Sequence, residues 1–190
     1  ACRPAGRLPV RLMRQRLLHG LLLASVLMLA GPACAEPAWV ILVRHAEKAA
    51  EPKADPGLSE AGQQRARQLA ETLRQAGVRH ILSSKWRRTR ETAAPLAEQL
   101  GLTPEVVEAP VGQPYAQALR ERLAGLEGVV LVVGHSNTLA PLLAALGGPR
   151  LPDWCETSFA PLLVFKPGAS ADLLRLRYGA PDPTPAAGCL

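Results

Sequence analysis

Apolar runs that alternate with segments of helical periodicity organise most of this chain. Runs of four or five apolar residues begin at Trp39, Val129 and Leu162, and the segments between them repeat apolar residues three and four positions apart. Short apolar runs indicate strands buried on both faces, and the 3.6-residue period indicates amphipathic helices. This alternation predicts an α/β fold, a three-layer sandwich in which helices flank a mostly parallel central sheet.

End signals refine the individual elements. Ser59 is a candidate N-cap, Gly77 marks the end of the helix that follows it, and Gly101 closes the next helix. The predicted elements, in chain order, are a strand over 39–43, a helix over 60–77, a strand over 80–82, a helix over 86–100, a short strand over 106–107, a helix over 115–126, a strand over 129–133, a helix over 138–146, and two strands over 162–165 and 173–178.

The start of the chain differs from the rest and has the pattern of a cleaved export signal. A basic segment that ends at Arg16 precedes an apolar run over 17–29, and Ala33-Cys34-Ala35 supplies the small residues of a cleavage site. We therefore predict a periplasmic or secreted protein. The predicted segments are a signal peptide (1–35), a folded domain (36–179) and a Pro-rich C-terminal tail (180–190).

Two alternatives would keep this leader attached to the protein. A membrane-spanning helix needs roughly 20 apolar residues, and the apolar run over 17–29 is shorter. A lipid anchor on Cys34 is disfavoured because the preceding Gly31-Pro32-Ala33 lacks the leucine expected three positions before the cysteine. We predict no stable membrane anchor once the leader is removed.

The positive net charge of the chain comes almost entirely from the predicted leader. The chain carries +6, but five arginines and no acidic residue lie in its first 35 residues, so the remainder carries +1. A nucleic-acid surface would need an excess of cations in the folded domain. The sequence therefore predicts no nucleic-acid partner, and it makes no prediction of the oligomeric state.

Cleavage of the leader would leave two cysteines, Cys155 and Cys189. In an oxidising compartment they can form a disulfide, which would fix the Pro-rich tail to the domain. They can equally remain two thiols, because spacing along the sequence does not report distance in space. Both interpretations stay open at this point.

The candidate chemistry lies where predicted strands end. Arg44 and His45 follow the first strand, Arg88 begins the helix after the second, and His135 follows the valine-rich strand. The carboxyl ends of parallel strands meet at one edge of a sheet, where ligands bind. Arginines bind phosphate oxygens bidentately, and a histidine can attack phosphorus and carry the phosphoryl group. These residues together predict a phosphate site.

A metal site is the main alternative for the two histidines. His45 and His135 could bind zinc together with Glu47. The neighbouring arginines would repel a cation, and neither an HExxH motif nor paired CxxC motifs occur. We therefore predict that the protein uses no metal and no other cofactor.

Four motifs in order resemble those of the histidine phosphatase superfamily. They are Arg44-His45, the segment Asp55–Gly62 with the pattern D-x-x-L-[ST]-x-x-G, the segment Ser83–Ala93 with the pattern S-S-x-x-x-R-x-x-x-T-A, and Gly134-His135. Within that superfamily, the chain resembles the phosphoglycerate-mutase-like branch of small exported phosphatases. That resemblance implies the same three-layer fold and catalysis without a metal.

The resemblance also implies a role for each candidate residue. His45 would be the nucleophile that becomes phosphorylated, Arg44 and Arg88 would bind the phosphoryl oxygens, and His135 would complete the substrate-binding pocket. The family usually has an acidic proton donor between the second arginine and the second histidine. Here Glu108 is the expected donor, and Glu105 is its rival.

The expected function is that of an exported, metal-independent phosphomonoesterase that acts through a phosphohistidine intermediate on His45. Its substrate would be a phosphorylated small molecule or glycan. The alternative is a phosphate-recognising or interaction protein that keeps the fold without turnover. A phosphomutase is a minor third possibility.

Overall fold

The computed structural model describes residues 36–168, 172–183 and 188–190, and the signal peptide predicted over 1–35 lies outside these residues. The described strands are β1 (Trp39–Arg44), β2 (Val78–Ser83), β3 (Glu105–Val106), β4 (Val129–Gly134), β5 (Pro161–Phe165) and β6 (Leu173–Arg177). The described helices are α1 (Glu60–Leu73), α2 (Arg87–Leu100), α3 (Tyr115–Leu123) and α4 (Leu139–Ala145). None of these helices is long and apolar enough to cross a membrane.

One mixed sheet carries all six of these strands. Its order is β3-β2-β4-β1-β5-β6, and β1, β2, β3 and β4 pair in parallel. β5 runs antiparallel to both of its neighbours, so β6 points the same way as β1. The predicted mostly parallel sheet is therefore confirmed, with β5 as the one reversed strand among those described.

Helices cover both faces of the sheet, as the three-layer prediction requires. Val40 and Leu42 of β1 face the layer of α3 and α4, whereas Ile41 and Val43 face the layer of α1 and α2. All four side chains are buried. This two-sided burial explains why β1 is a continuous apolar run, since fully burying each such side chain stabilises the fold by roughly 1.5–3 kcal/mol.

The element boundaries differ from the sequence predictions by a few residues. α1 ends at Leu73, and a turn carries the chain to Gly77, which has a φ of 69°. α3 ends at Leu123 rather than at residue 126, because Ala124 is extended. β3 lies one residue earlier than predicted. These shifts leave the order and type of every predicted element correct.

The structure settles the open question of the two cysteines, because Cys155 and Cys189 form a disulfide. Beside it, the Cys155 amide donates to the Leu190 carbonyl. The buried carboxylate of Asp182 accepts hydrogen bonds from the Phe159 and Ala160 amides. The described residues of the Pro-rich tail thus pack on the chain just before β5.

Candidate active site

Sheet topology brings the two predicted histidines together. β1 and β4 are parallel neighbours, and Arg44 lies opposite Gly134 in their register. The His45 amide donates to the Gly134 carbonyl across 3.0 Å. The rings of His45 and His135 meet edge to face, with centroids 5.4 Å apart.

A single cavity of about 570 Å³ collects the predicted site residues. Arg44, His45, Arg88, His135 and Glu108 all line it. The other lining residues are Lys48, Ser84, Lys85, Trp86, Val107, Ala109, Tyr115, Ser136, Asn137, Thr138 and Glu156. The cavity opens at the edge of the sheet where β1, β2 and β4 end, as expected for a parallel sheet.

The His45 ring is held as a neutral imidazole. Its Nδ1 lies 2.8 Å from the Ala46 carbonyl oxygen, which can only accept, so Nδ1 carries the proton and donates it. Burial, and then the charge of Arg44, lower the pKa of His45 to about 3. Thr92 fixes the loop, because its Oγ1 accepts from the Ala46 amide across 2.9 Å. The lone pair of Nε2 is therefore available for attack.

His135 belongs to a second hydrogen-bond chain. Its Nε2 lies 2.9 Å from Ser84 Oγ, which in turn lies 2.9 Å from Thr89 Oγ1. Arg88 Nη2 approaches Nδ1 to 3.5 Å, and an arginine can only donate, so this contact assigns the proton to Nε2. Burial, and then Arg88 and Arg44, lower the pKa of His135 to about 4. A bound phosphate dianion would favour its protonated form.

Arg44 is buried in a cradle formed by the segment just before β5. Its Nη1 donates to the carbonyls of Cys155 at 2.7 Å and Ser158 at 3.3 Å. Its Nη2 donates to Glu156 Oε2 at 2.7 Å, and the guanidinium lies 4.4 Å from the centre of the Phe159 ring. The positions of these groups fix the guanidinium plane at the cavity wall.

The start of α2 separates Arg88 from its basic neighbour. Arg88 lines the cavity and lies 5.1 Å from the centre of the Trp86 ring. The adjacent Arg87 points elsewhere, because its Nε donates to Glu91 at 2.5 Å and its amide to Asp55 at 2.9 Å. The matched motif therefore selects the arginine that the structure places in the cavity.

The carboxylates around the cavity divide into three cases. Glu108 is exposed and lines the cavity, whereas its rival Glu105 lies outside it in a two-point ion pair with Arg122. Sequence reasoning missed Glu156, which lines the cavity and binds Arg44. No sequence signal pointed to Glu156, because its position follows from the reversed direction of β5, which starts at the edge where β1 ends.

The alternative zinc site does not assemble. Glu47 turns away from the histidines and accepts three hydrogen bonds from Arg65. Within the described ranges, no group of three His, Cys, Asp or Glu side chains could hold a metal ion. The cavity instead presents the charged groups of Arg44, Arg88 and two lysines beside a neutral histidine, which suits a phosphate.

A family model matches the part of the chain that carries all the predicted site residues except His135. The model of the histidine phosphatase superfamily (branch 1) matches residues 40–109. A curated protein of Enterobacter sp. (strain 638), named "Probable phosphoglycerate mutase GpmB", is 37% identical over 155 residues. That alignment covers 74% of this chain and 65% of the relative, so this chain spans less than two thirds of the relative's length.

Solved structures share the fold at lower identity. A mycobacterial glucosyl-3-phosphoglycerate phosphatase is 21% identical with a TM-score of 0.52, over 67% of this chain and 89% of that one. A protein from Agrobacterium tumefaciens, described as the "putative phosphohistidine phosphatase SixA", is 22% identical with a TM-score of 0.53. That match covers 77% of this chain and all of the other. These likenesses confirm the fold that the sequence predicted.

Proposed function

Because the chain belongs to the histidine phosphatase superfamily, we propose that it is a metal-independent phosphomonoesterase whose nucleophile is His45. The observation that carries the proposal is the state of this ring: Nδ1 is tied to the Ala46 carbonyl, which leaves Nε2 unprotonated. Arg44 and Arg88 line the same cavity and supply positive charge for the phosphoryl oxygens.

The reaction divides into two balanced displacements. In the first, Nε2 of His45 attacks phosphorus, a P–N bond forms, the ester P–O bond breaks, and the leaving oxygen takes a proton from Glu108. In the second, water gives a proton to Glu108 and attacks phosphorus, the P–N bond breaks, and inorganic phosphate leaves. Splitting one difficult displacement in this way is the advantage of a covalent intermediate. Arg44, Arg88 and His135 stabilise charge on the transferring group in both steps.

A phosphomutase is the second candidate, and the name of the curated relative favours it. A mutase must pass the phosphoryl group to a second alcohol before water takes it. The two functions are separated by the fate of a radiolabelled phosphoryl group from a phosphoglycerate: release as inorganic phosphate supports the phosphatase, and transfer within the molecule supports the mutase.

The proposed setting is outside the cytoplasm, with a phosphorylated small molecule or glycan as substrate. The leader pattern supports export, and the disulfide between Cys155 and Cys189 fits an oxidising compartment. Cell fractionation with N-terminal sequencing tests this. A periplasmic or secreted chain that starts at Glu36 is expected, whereas an intact membrane-bound chain would refute it.

The decisive experiment traps the intermediate. The purified protein is quenched rapidly after mixing with a labelled aryl phosphate, in the presence of a chelator, and acid-labile label on the protein is counted. Labelling is expected in the wild type and in His80→Ala, whose histidine lies on β2 outside the cavity. Labelling should vanish in His45→Ala. Label that persists in His45→Ala would refute the assignment of His45 as nucleophile. A wild type that binds phosphate but neither becomes labelled nor hydrolyses substrate would support the alternative of a non-catalytic phosphate-binding protein.

A further inference from the structure

One edge of the Arg44 guanidinium is only partly occupied. Both hydrogens of Nη1 are directed to the carbonyls of Cys155 and Ser158. On the opposite edge, Nη2 donates to Glu156, while the buried Nε has no hydrogen-bond partner among the described residues. Nε and Nη2 form the planar fork that binds two oxygens of a carboxylate or phosphate. This edge is thus built for an oxyanion, and a side chain of the protein holds half of it.

Glu156 is tethered where it competes for that edge. Its Oε2 accepts from Arg44 Nη2 at 2.7 Å, and its Oε1 accepts from Ser136 Oγ at 2.5 Å. Its side chain is 75% exposed, whereas that of Arg44 is 3% exposed. The carboxylate can therefore swing into solvent at little cost to itself, whereas the buried Arg44 cannot move away and needs an incoming anion to replace its lost partner.

We propose that Glu156 is an internal competitor for phosphate: it holds Nη2 of Arg44 and must release it when a phosphoryl group binds to the Nε and Nη2 edge. This inference rests on the proposed function of the cavity as a phosphoryl site. It makes Glu156 a residue that sets affinity, not a catalytic residue. The carboxylate returns to Arg44 as the phosphate product departs.

Displacement of Glu156 from Arg44 lowers the affinity of the cavity for phosphate. A phosphate dianion that approaches Arg44 must displace an anion that already neutralises part of its charge, and it then lies near the displaced carboxylate. Both effects weaken phosphate binding. A neutral amide at position 156 would remove the repulsion and hold Nη2 less strongly, since hydrogen bonds between charged groups are about twice as strong as neutral ones.

Calorimetric titration with inorganic phosphate at low salt tests the proposal without requiring turnover. Glu156→Gln is expected to tighten phosphate binding about 10-fold, the effect of one charge-assisted hydrogen bond. Ser136→Ala, which removes only the tether, should tighten it about 3-fold. Glu121→Gln is the control, because it removes one carboxylate charge from an exposed position on α3 outside the cavity, and it should leave the affinity close to that of the wild type.

Unchanged or weaker phosphate binding in Glu156→Gln would overturn the proposal. Equal tightening in Glu156→Gln and Glu121→Gln would also overturn it, because it would show a general effect of the protein's net charge. Glu156→Asp, which keeps the charge, should stay close to the wild type. The result does not depend on whether His45 becomes phosphorylated, so failure of the catalytic proposal and failure of this one are distinguishable.

Discussion

Opening the disulfide between Cys155 and Cys189 should lower stability and activity together, because this crosslink lies at the base of the Arg44 cradle. Cys155 supplies the carbonyl that accepts from Arg44 at 2.7 Å, and Glu156 follows it directly. The simplest perturbation is Cys189→Ser. It breaks the crosslink at the end remote from the cavity and removes no atom of the cradle itself.

The loss of stability follows from the length of the loop that the crosslink closes. The two cysteines are 34 residues apart. Loop-closure entropy for a loop of this length gives about 4 kcal/mol at room temperature. With an m-value of about 2 kcal/mol/M in urea, the midpoint of unfolding should fall by about 2 M.

The loss of activity follows from the cradle. If the segment before β5 moves, Arg44 loses a fixed acceptor for Nη1 and its plane is no longer held at the cavity wall. Loss of one hydrogen bond to a charged group corresponds to about 1.5–3 kcal/mol. The ratio kcat/KM for an aryl phosphate should therefore fall by about 10-fold or more, at temperatures where Cys189→Ser is still folded.

The assay compares three samples: oxidised wild type, wild type reduced with a phosphine, and Cys189→Ser. Urea unfolding followed by circular dichroism gives the stability, and aryl phosphate hydrolysis well below the unfolding transition gives kcat/KM. Equal urea midpoints for the oxidised and reduced samples would refute the entropic reasoning. A lower midpoint with unchanged kcat/KM would refute the claim that the crosslinked segment positions Arg44.

Three further predictions concern the cavity itself. Arg88→Ala should lower kcat about 100-fold or more, the scale of losing one electrostatic stabiliser. Arg87→Ala should change kcat only a few-fold, because Arg87 pairs with a glutamate outside the cavity. A larger loss of kcat in Arg87→Ala than in Arg88→Ala would show that the motif register is wrong. Glu108→Gln should slow hydrolysis of an alkyl phosphate far more than that of 4-nitrophenyl phosphate, whose leaving group needs no proton, and equal slowing would refute its role as proton donor. Burial lowers the pKa of His45 to about 3, so its NMR signals, assigned with His45→Ala, should shift little between pH 8 and 5, and a midpoint between pH 6 and 7 would contradict the neutral buried ring.

Residue patterns were sufficient to predict the sheet and the part of the site that lies at strand ends. β1 and β4 are buried on both faces, so their runs contain only apolar residues until Arg44 and Gly134 break them. Polar residues at the ends of such runs mark the edge where parallel strands present ligands. The position of Arg88 in the cavity follows from motif spacing, since adjacent residues on a helix do not share a face.

Other parts of the site depend on contacts that no local pattern records. Arg44 and Glu156 are 112 residues apart in sequence, and their ion pair exists only because β5 reverses direction. The pairing of the two cysteines likewise could not be predicted from the sequence, since their spacing along the chain does not fix their distance in space. The positions of the two candidate carboxylates also depend on such contacts, because the ion pair with Arg122 holds Glu105 outside the cavity that Glu108 lines.

The reversed direction of β5 also explains how two distant parts of the chain both contribute residues to the site. The part that matches the family model ends at residue 109 and contains His45, the proposed nucleophile, and Arg88. The segment before β5 contributes nothing to that match, yet it supplies every hydrogen-bond acceptor of the Arg44 guanidinium that the structure describes. An antiparallel strand beside β1 must start where β1 ends, so any residue just before β5 reaches the reacting edge. The proposed function therefore implies that changes in this segment alter the affinity for phosphate without altering the groups that contact His45.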